Sequence, residues 1–359
     1  MKGRGAALPA QDHPADAIGH ILECEAELDR VLLDWRDLDR WNHAWEAPAA
    51  HWSQAVWTRA VELGPLPLAA AEIETGARIA GNPVFICGAA RSGTTLVRDL
   101  LDGHPELAVL PAEGRFFEHF RDGHASAAQG IGRHGRTWLR NLANPNHQRP
   151  FWLLGRSDRN DDGYVRFARA LLAWNNALAR HDVGCRLLSA TALPLSENVA
   201  SLKRAVDKTP GYEFHLPWIW SRLPEARVIH LVRDPAAIAA SYRAGLTRTR
   251  LRSAPVARML RNAASSLLRA RLAQRSAPND RHLVVHFEDL VADRAQQMQR
   301  IATFLQIGWD DCLLDQTIMG RAAQPNSSFH GGSRGAFVAA NASERLWLAI
   351  ASAIKSGIA

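Results

Sequence analysis

"PVFICGAARSGTTLVRDLLDGHP", residues 83–105, decides how the chain is read. A short apolar run at 84–87 breaks into a glycine-bearing turn, and the turn opens a segment over 94–102 that is predicted as a helix. The spacing is nearly that of the phosphate-binding loop G-x-x-x-x-G-K-[ST]. Gly88 and Gly93 take the two glycine positions and Thr95 the Ser/Thr position, but Thr94 stands where the lysine belongs. The physics of anion binding survives that change. Successive backbone N–H groups over 90–95 are expected to face one concavity, and the helix start adds a positive end of roughly half a charge. Arg91 brings a full charge from inside the loop, while Ser92, Thr94 and Thr95 add hydroxyl donors.

Outward from this stretch, short continuous apolar runs recur at 228–232 and 283–285, each followed by a helix-like segment. Buried parallel strands have that composition. Strands alternating with helices predict an α/β fold, an open parallel sheet of the P-loop type flanked by helices. Ligands of such sheets bind beyond the C-terminal ends of the strands. A further apolar run, 107–110, is read as the strand beside the phosphate loop. Before residue 81 the periodicity is helical, at 18–41, 50–63 and 67–79, which predicts a helical N-terminal lobe over 1–80. Its tryptophans, Trp35, Trp41, Trp45, Trp52 and Trp57, are assigned to core packing rather than to a binding surface. An α/β core is expected over 81–320, completed by a C-terminal loop and helix over 321–359. Residues 121–150, with "GIGRHGR" and "NPNHQRP", read as a polar excursion. The Gly/Ser-rich stretch 324–335 reads as a loop that either covers a site or is simply mobile.

Composition narrows the function classes. The chain has 359 residues, 47% of them hydrophobic, enough for a large buried core. Its formal net charge is +7, from 43 Lys and Arg against 36 Asp and Glu, a mild excess that suits solubility or an anionic ligand. No run of five basic residues marks a nucleic-acid or lipid-binding patch. Cys24, Cys87, Cys185 and Cys312 lie far apart with no C-x-x-C pair, which reads as reduced thiols in a cytoplasmic protein rather than a disulfide or zinc framework. The first residues lack an apolar signal core, and no stretch reaches the roughly 18 apolar residues of a spanning helix. His282 and His286, at i and i+4 of one run, lack a third ligand nearby, so no metal site is expected.

A second stretch, "EARVIHLVRDPAAIAASY" at 225–242, carries a strand that ends in Arg233 and then Asp234, with Ser241 eight residues after the arginine. An ATP or GTP site needs Mg²⁺ held in part by a carboxylate at such a strand end. Here a cation leads instead. Arg233 at the strand edge and Ser241 on the following helix are placed to converge on one phosphate, the arginine as a charged fork.

Together "AARSGTTLVRDLLDGHPEL" (89–107) and this R-D-P strand resemble the sulfotransferases that use 3′-phosphoadenosine 5′-phosphosulfate (PAPS), most nearly the tyrosylprotein branch and its bacterial relatives, which have arginine at the position of Arg91. The resemblance covers roughly 83–310. It implies that Arg91, Ser92, Gly93, Thr94 and Thr95 hold the 5′-phosphosulfate and that Arg233 and Ser241 hold the 3′-phosphate. "HLVVHFEDLVAD" (282–293) resembles the family's Y-E-D-L strand and turn, with Phe287 where a tyrosine is common, so stacking remains without the hydroxyl. Twelve residues after Arg233, where related enzymes have a second phosphate-binding arginine, stands Gly245. Either Arg243 or Arg248 substitutes, or the contact is absent.

Sulfuryl transfer needs a base for the acceptor and fixed cations for the charge that grows on the bridging oxygen. Glu113 is the candidate base, because Glu113 and Arg115 reproduce the Glu-x-Arg element of the tyrosylprotein branch. Glu118 and His119 are less favoured bases on the same segment. Lys208 in "DKTPGYEF", followed by x-Pro as in the family, is the candidate electrophile, helped by Arg91. His104 is read as a structural cap and Glu106 as a solvated turn residue. The sequence therefore predicts an enzyme that transfers a sulfuryl group from PAPS, in line and without a metal, to a hydroxyl or amine of a small-molecule, glycan, lipid or peptide acceptor. A P-loop kinase or hydrolase, and a nucleotide-binding protein without turnover, are the alternatives.

Overall fold

The computed structural model of the protein describes residues 43–116, 127–143, 161–196, 199–249, 256–277, 280–322 and 342–358. Five parallel strands form one sheet: β1 (Val84–Gly88), β2 (Leu107–Val109), β3 (Arg204–Lys208), β4 (Arg227–Val232) and β5 (His282–His286), in the order β2-β3-β1-β4-β5. The runs predicted at 84–87, 107–110, 228–232 and 283–285 are all strands. One strand was not anticipated, and one expectation fails with it. The segment 204–208 is a strand that its charges concealed, and it lies between β1 and β2. The 107–110 run is consequently at the sheet edge, paired to β3, and not beside the phosphate loop.

Alternation along β1 explains why both faces of the sheet are covered. Phe85 and Cys87 point into one apolar cluster and Val84 and Ile86 into another, as a period of two requires. The first cluster is closed by helices α1 (His43–Leu63), α2 (Ala70–Gly81), α4 (Ala127–Ala143), α5 (Asp161–Ala177) and α6 (Val183–Ala192). The second is closed by α3 (Thr94–Leu101) and α11 (Arg294–Leu305). The short helix α7 (Leu216–Arg222) lies between β3 and β4, α8 (Pro235–Thr249) follows β4, and the short helix α10 (Phe287–Ala292) follows β5. α9 (Val256–Ser276) and α12 (Ala342–Lys355) share a third cluster with Val232 and Val284. The tail read as helical is thus α12, packed on the sheet's β4–β5 half. A small hairpin, Thr317–Ile318 with Arg321–Ala322, binds the carboxylate of Asp102 through Thr317 Oγ1 (2.7 Å) and the Gly320 amide (2.9 Å), which holds the end of α3. Among the described residues no helix is long and apolar enough to cross a membrane. The periodic stretch 18–41, including Trp35 and Trp41, and the loop at 324–335 lie outside the described residues.

The predicted polar excursion at 121–150 is corrected over 127–143, which forms α4 and buries Trp138, Leu139 and Leu142. Glycine misled the reading. A Cβ at Gly135 would overlap the indole of Trp57, so this glycine lets α1 and α4 approach closely rather than marking a loop. Trp57 is core, as expected, and Trp52 meets Tyr164 edge-on with ring centroids 4.9 Å apart. Gly135→Ala is expected to lower stability by about 1–3 kcal/mol through overpacking, despite alanine's better helix propensity. The urea midpoint of the variant against that of the wild type measures it.

Candidate active site

The turn after β1 is shaped by backbone conformations that its glycines permit. Gly88 (φ 134°) is closed in by the Leu231 carbonyl of β4, leaving no room for a Cβ. Gly93 (φ 102°) caps the start of α3, and a Cβ there would strike the ring of Phe287. Between them Arg91 adopts the left-handed region at φ 72°, which costs a non-glycine residue on the order of 1 kcal/mol and is a conformation that clusters at functional sites. The turn opens on α3, whose first amides have no partner within the helix. Ser92 and Thr94 are buried within it and Thr95 is half-buried.

This turn touches the end of β4 directly. Arg233 Nη1 donates to the Arg91 carbonyl at 2.9 Å, and Arg91 Nε donates to Ser241 Oγ, on α8, at 3.1 Å. The guanidinium of Arg233 lies over the Phe287 ring, 4.0 Å from its centroid, so Phe287 separates Gly93 from Arg233. Burial holds the proton affinity of both arginines below the ordinary value, and the charge of Arg91 adds to the effect on Arg233. The buried Ser92 Oγ and Arg233 Nε have no hydrogen-bond partner among the described residues. Arg91, Ser92, Gly93, Thr94, Arg233, Ser241 and Phe287 therefore form one contiguous, cation-rich corner, with unspent polar atoms suited to a phosphate-bearing ligand. Asp234, where a metal-binding carboxylate is sought, caps α8 instead by accepting from the Ala237 amide at 2.8 Å. Arg243, a candidate second phosphate arginine, is ion-paired with Glu344 of α12. The side chain of Arg248 lies outside the described residues.

On the opposite side of β1, Lys208 ends β3 and donates to Glu113 Oε1 at 2.7 Å. Arg115 Nε lies 3.6 Å from Glu113 Oε2. Burial works to raise the proton affinity of Glu113, but Lys208 and Arg115 outweigh it and hold the carboxyl below its ordinary range. Burial likewise lowers that of Lys208, against the charge of Glu113. The predicted base and electrophile are thus a direct pair. His104 contacts the Gly308 carbonyl (3.0 Å) and accepts from the Glu106 amide (3.2 Å), a structural use. Glu106 is bound by Lys203 at 2.6 Å and by the Gly308 amide at 2.9 Å, more engaged than a solvated turn residue. Glu118 and His119 lie outside the described residues. His282 stacks edge-on to His230, burial pushes both imidazoles down to about 3, and no group of three ligands for a metal occurs among the described residues.

Sequence reasoning missed the buried acids beneath the site. Glu213 accepts from the amides of Gly88 (3.1 Å) and Gly211 (2.9 Å), tying the end of β1 to the turn after β3. Asp207, next to Lys208, accepts from the Gly114 amide at 2.9 Å. A buried carboxylate in a strand's flank has no periodic signature. The only hint was an acid–base doublet, Asp207–Lys208, ahead of Pro210 and Gly211.

A family model described as "Sulfotransferase family" matches residues 83–311, more than half of the chain. No curated protein matches it. Among solved structures the chain is similar to the sulfotransferase domain of the Synechococcus PCC 7002 olefin synthase, at 24% identity over 66% of this chain and 78% of that one, with a TM-score of 0.42. It is also similar to the sulfotransferase domain from the curacin biosynthetic pathway, at 20% identity over 70% and 81%, TM-score 0.42. For sulfotransferase STF1 from Mycobacterium tuberculosis H37Rv the values are 20% identity over 73% and 74%, TM-score 0.38.

Gly93→Ala tests whether the turn is as tightly built as its contacts indicate. The new methyl meets both an unfavourable φ and the Phe287 ring, so the variant is expected to lose about 1–3 kcal/mol in a urea melt. Gly81→Ala, where a Cβ meets nothing, is expected to change stability far less.

Proposed function

The chain belongs to the sulfotransferase family, and on that premise we propose that it moves the sulfuryl group of PAPS in line, without a metal, to a hydroxyl or amine acceptor. The donor supplies an activated sulfur–oxygen bond. In this reading Arg91, Ser92, Gly93, Thr94 and Thr95 bind its phosphosulfate end, Arg233 and Ser241 bind the 3′-phosphate, and Phe287 stacks at the same corner. The observation that carries it is the meeting of the two anion-binding stretches: Arg233 hydrogen-bonds the Arg91 carbonyl and Arg91 hydrogen-bonds Ser241. Guanidiniums, hydroxyls and helix amides, rather than a carboxylate set, make up this corner, and that donor chemistry favours charge neutralisation by the protein itself.

Glu113 takes the acceptor's proton as the acceptor oxygen or nitrogen bonds to sulfur and the bond from sulfur to the bridging oxygen breaks. The products are the sulfated acceptor and adenosine 3′,5′-bisphosphate. Lys208 neutralises the charge that grows on the bridging oxygen, with Arg91. When the ammonium of Lys208 turns to that charge, Glu113 loses its strongest partner and its proton affinity rises. Base strength and electrophilic assistance then increase together. The likeness to the tyrosylprotein branch rests on Arg91 and on the Glu113-x-Arg115 element. The acceptor is a small molecule, glycan, lipid or peptide. The free thiols Cys87, Cys185 and Cys312 suit a reducing, cytoplasmic compartment.

Calorimetry with adenosine 3′,5′-bisphosphate in EDTA is expected to show binding, and ATP with Mg²⁺ to bind more weakly. The reverse preference would point to a kinase or hydrolase. Arg233→Ala should weaken bisphosphate affinity at least tenfold, and an unchanged affinity removes the 3′-phosphate assignment. Glu113→Gln should keep that affinity while turnover of labelled PAPS falls by roughly 10²–10⁴-fold. Turnover at the wild-type rate would place the base elsewhere.

A further inference from the structure

We propose that Asp207, acting through Thr209 and Tyr212, is a positioning residue for sulfuryl transfer, fixing the backbone of 113–116 and so the Glu113 carboxylate. The inference rests on Glu113 being the base. Residues 113–115 belong to no helix or strand, and Arg115 sits in the left-handed region at φ 49°, so no ladder or helix hydrogen bonds set the path of these three residues. What holds it comes from the C-terminal end of β3. Gly114 N donates to Asp207 Oδ1 at 2.9 Å, Arg115 N to Thr209 Oγ1 at 3.2 Å, and Phe116 N to the Tyr212 hydroxyl at 2.8 Å. Three consecutive amides are each taken by a different side chain of one turn.

Both hydroxyls accept, so each directs its single proton elsewhere. Tyr212 donates to Asp207 Oδ2 at 2.6 Å, and Thr209 lies 3.3 Å from both carboxylate oxygens. Asp207 is the terminal acceptor of all three chains. Only the ionised carboxylate serves them all. A proton on it converts an acceptor into a donor and leaves one buried donor without a partner, a cost of about 1–3 kcal/mol. Asp207, Thr209 and Tyr212 are buried, and the Tyr212 ring is locked edge-on to Phe85 of β1, centroids 5.5 Å apart. Water is therefore poorly placed to repair a broken link.

The groups around Asp207 set when that proton arrives. Lys208 and Glu113 are its nearest charges. Arg115 lies on the held segment, Arg98 with Asp99 on α3, and Glu213 just past Tyr212. Cys87 on β1, Cys185 and Arg186 on α6 and His134 on α4 are the further buried titratable groups on elements packed around this corner. Burial pushes Asp207 up to about 6, against hydrogen bonds from Tyr212 and Gly114 and the charge of Lys208, with Glu113 adding to the rise. Glu113 itself is held low. If the positioning role holds, an acid limb of kcat near 6 is the expected signature of Asp207.

Thr209→Val and Tyr212→Phe keep side-chain volume and each delete one donor to the carboxylate. Each is expected to lower kcat at saturating PAPS by roughly 10–100-fold, with adenosine 3′,5′-bisphosphate affinity within about twofold of wild type. Each removes stabilisation of the charged form, so the acid limb of kcat should move to higher pH. In Asp207→Asn the limb should vanish along with most turnover. His230 and His282, neutral in the fold and pushed down to about 3, withdraw stability as pH falls below the ordinary histidine value near 6.5. The profile is accordingly read only where bisphosphate affinity stays constant. Wild-type kcat in both Thr209→Val and Tyr212→Phe, or an acid limb that stays in place, overturns the inference. A loss of turnover matched by lost bisphosphate affinity does the same. If Glu113→Gln is inactive while these two variants are not, only the positioning role fails. If Glu113→Gln turns over normally, the base assignment falls and takes this inference with it.

Discussion

Two like charges held at one corner of the sheet govern the rest of the structure. Arg233 reaches from the end of β4 to the carbonyl of Arg91, and Arg91 reaches on to Ser241. Burial weakens the charged form of both guanidiniums, and on Arg233 the charge of Arg91 adds to that effect while Glu288 and Asp234 oppose it. The protein sustains this arrangement through backbone geometry: β1 and β4 are adjacent and parallel, with Gly88 paired to Leu231, so the turn after one strand falls beside the end of the other. The left-handed Arg91 turns its carbonyl toward Arg233. Two guanidiniums with hydroxyl and amide donors at one corner are the donor set that the proposed bis-phosphorylated ligand calls for.

The second charged pair is placed by the same sheet. β3 and β4 flank β1, with Ile86 paired to both Lys208 and Ile229. Strand spacing is about 4.8 Å, so groups at the ends of β3 and β4 stand roughly 10 Å apart across β1. One side carries the two guanidiniums, with Glu288 and Asp234 near Arg233, and the other, Lys208 with Glu113, is neutral as a pair. In the proposed function, the grip on the donor and the place for proton traffic are thereby separated by a fixed distance, with the turn after β1 between them. The order of the strands supplies this division without a mobile element.

How much of this was legible in the sequence depends on the kind of signal each part leaves. The phosphate turn was legible because glycine spacing reports backbone conformations that only glycine adopts at low cost, and Gly88 and Gly93 both have positive φ. The strand of Arg233 was legible because buried parallel strands are continuous apolar runs. β3 was not, since Arg204, Asp207 and Lys208 interrupt its pattern although every residue of it is buried. α4 was hidden for the opposite reason. Its glycines carry a loop's signature, but Gly135 serves a helix crossing against Trp57. Glu113 and Lys208 were found by resemblance, but their direct pairing needed the three-dimensional register. The Asp207–Thr209–Tyr212 network joins side chains to a backbone far away along the chain, and no local pattern announces such a contact.

Asp207 and Glu213 share a physical oddity that the site explains. Both are buried carboxylates that spend their oxygens on backbone amides and hydroxyls, Asp207 on Gly114 and Tyr212, Glu213 on Gly88 and Gly211. Burial raises the proton affinity of each, so both are held at a cost to folding near neutral pH. Apolar replacements of similar volume would avoid that desolvation but leave the amides of Gly88, Gly114 and Gly211 without acceptors. Those amides belong to the three turns that carry the site: the one after β1, the one bearing Glu113, and the one after Lys208. A carboxylate is the side chain that can accept several N–H and O–H donors at once from converging loops. The two acids therefore trade stability for fixed loop geometry, and reaction geometry is where a displacement of about 1 Å is costly.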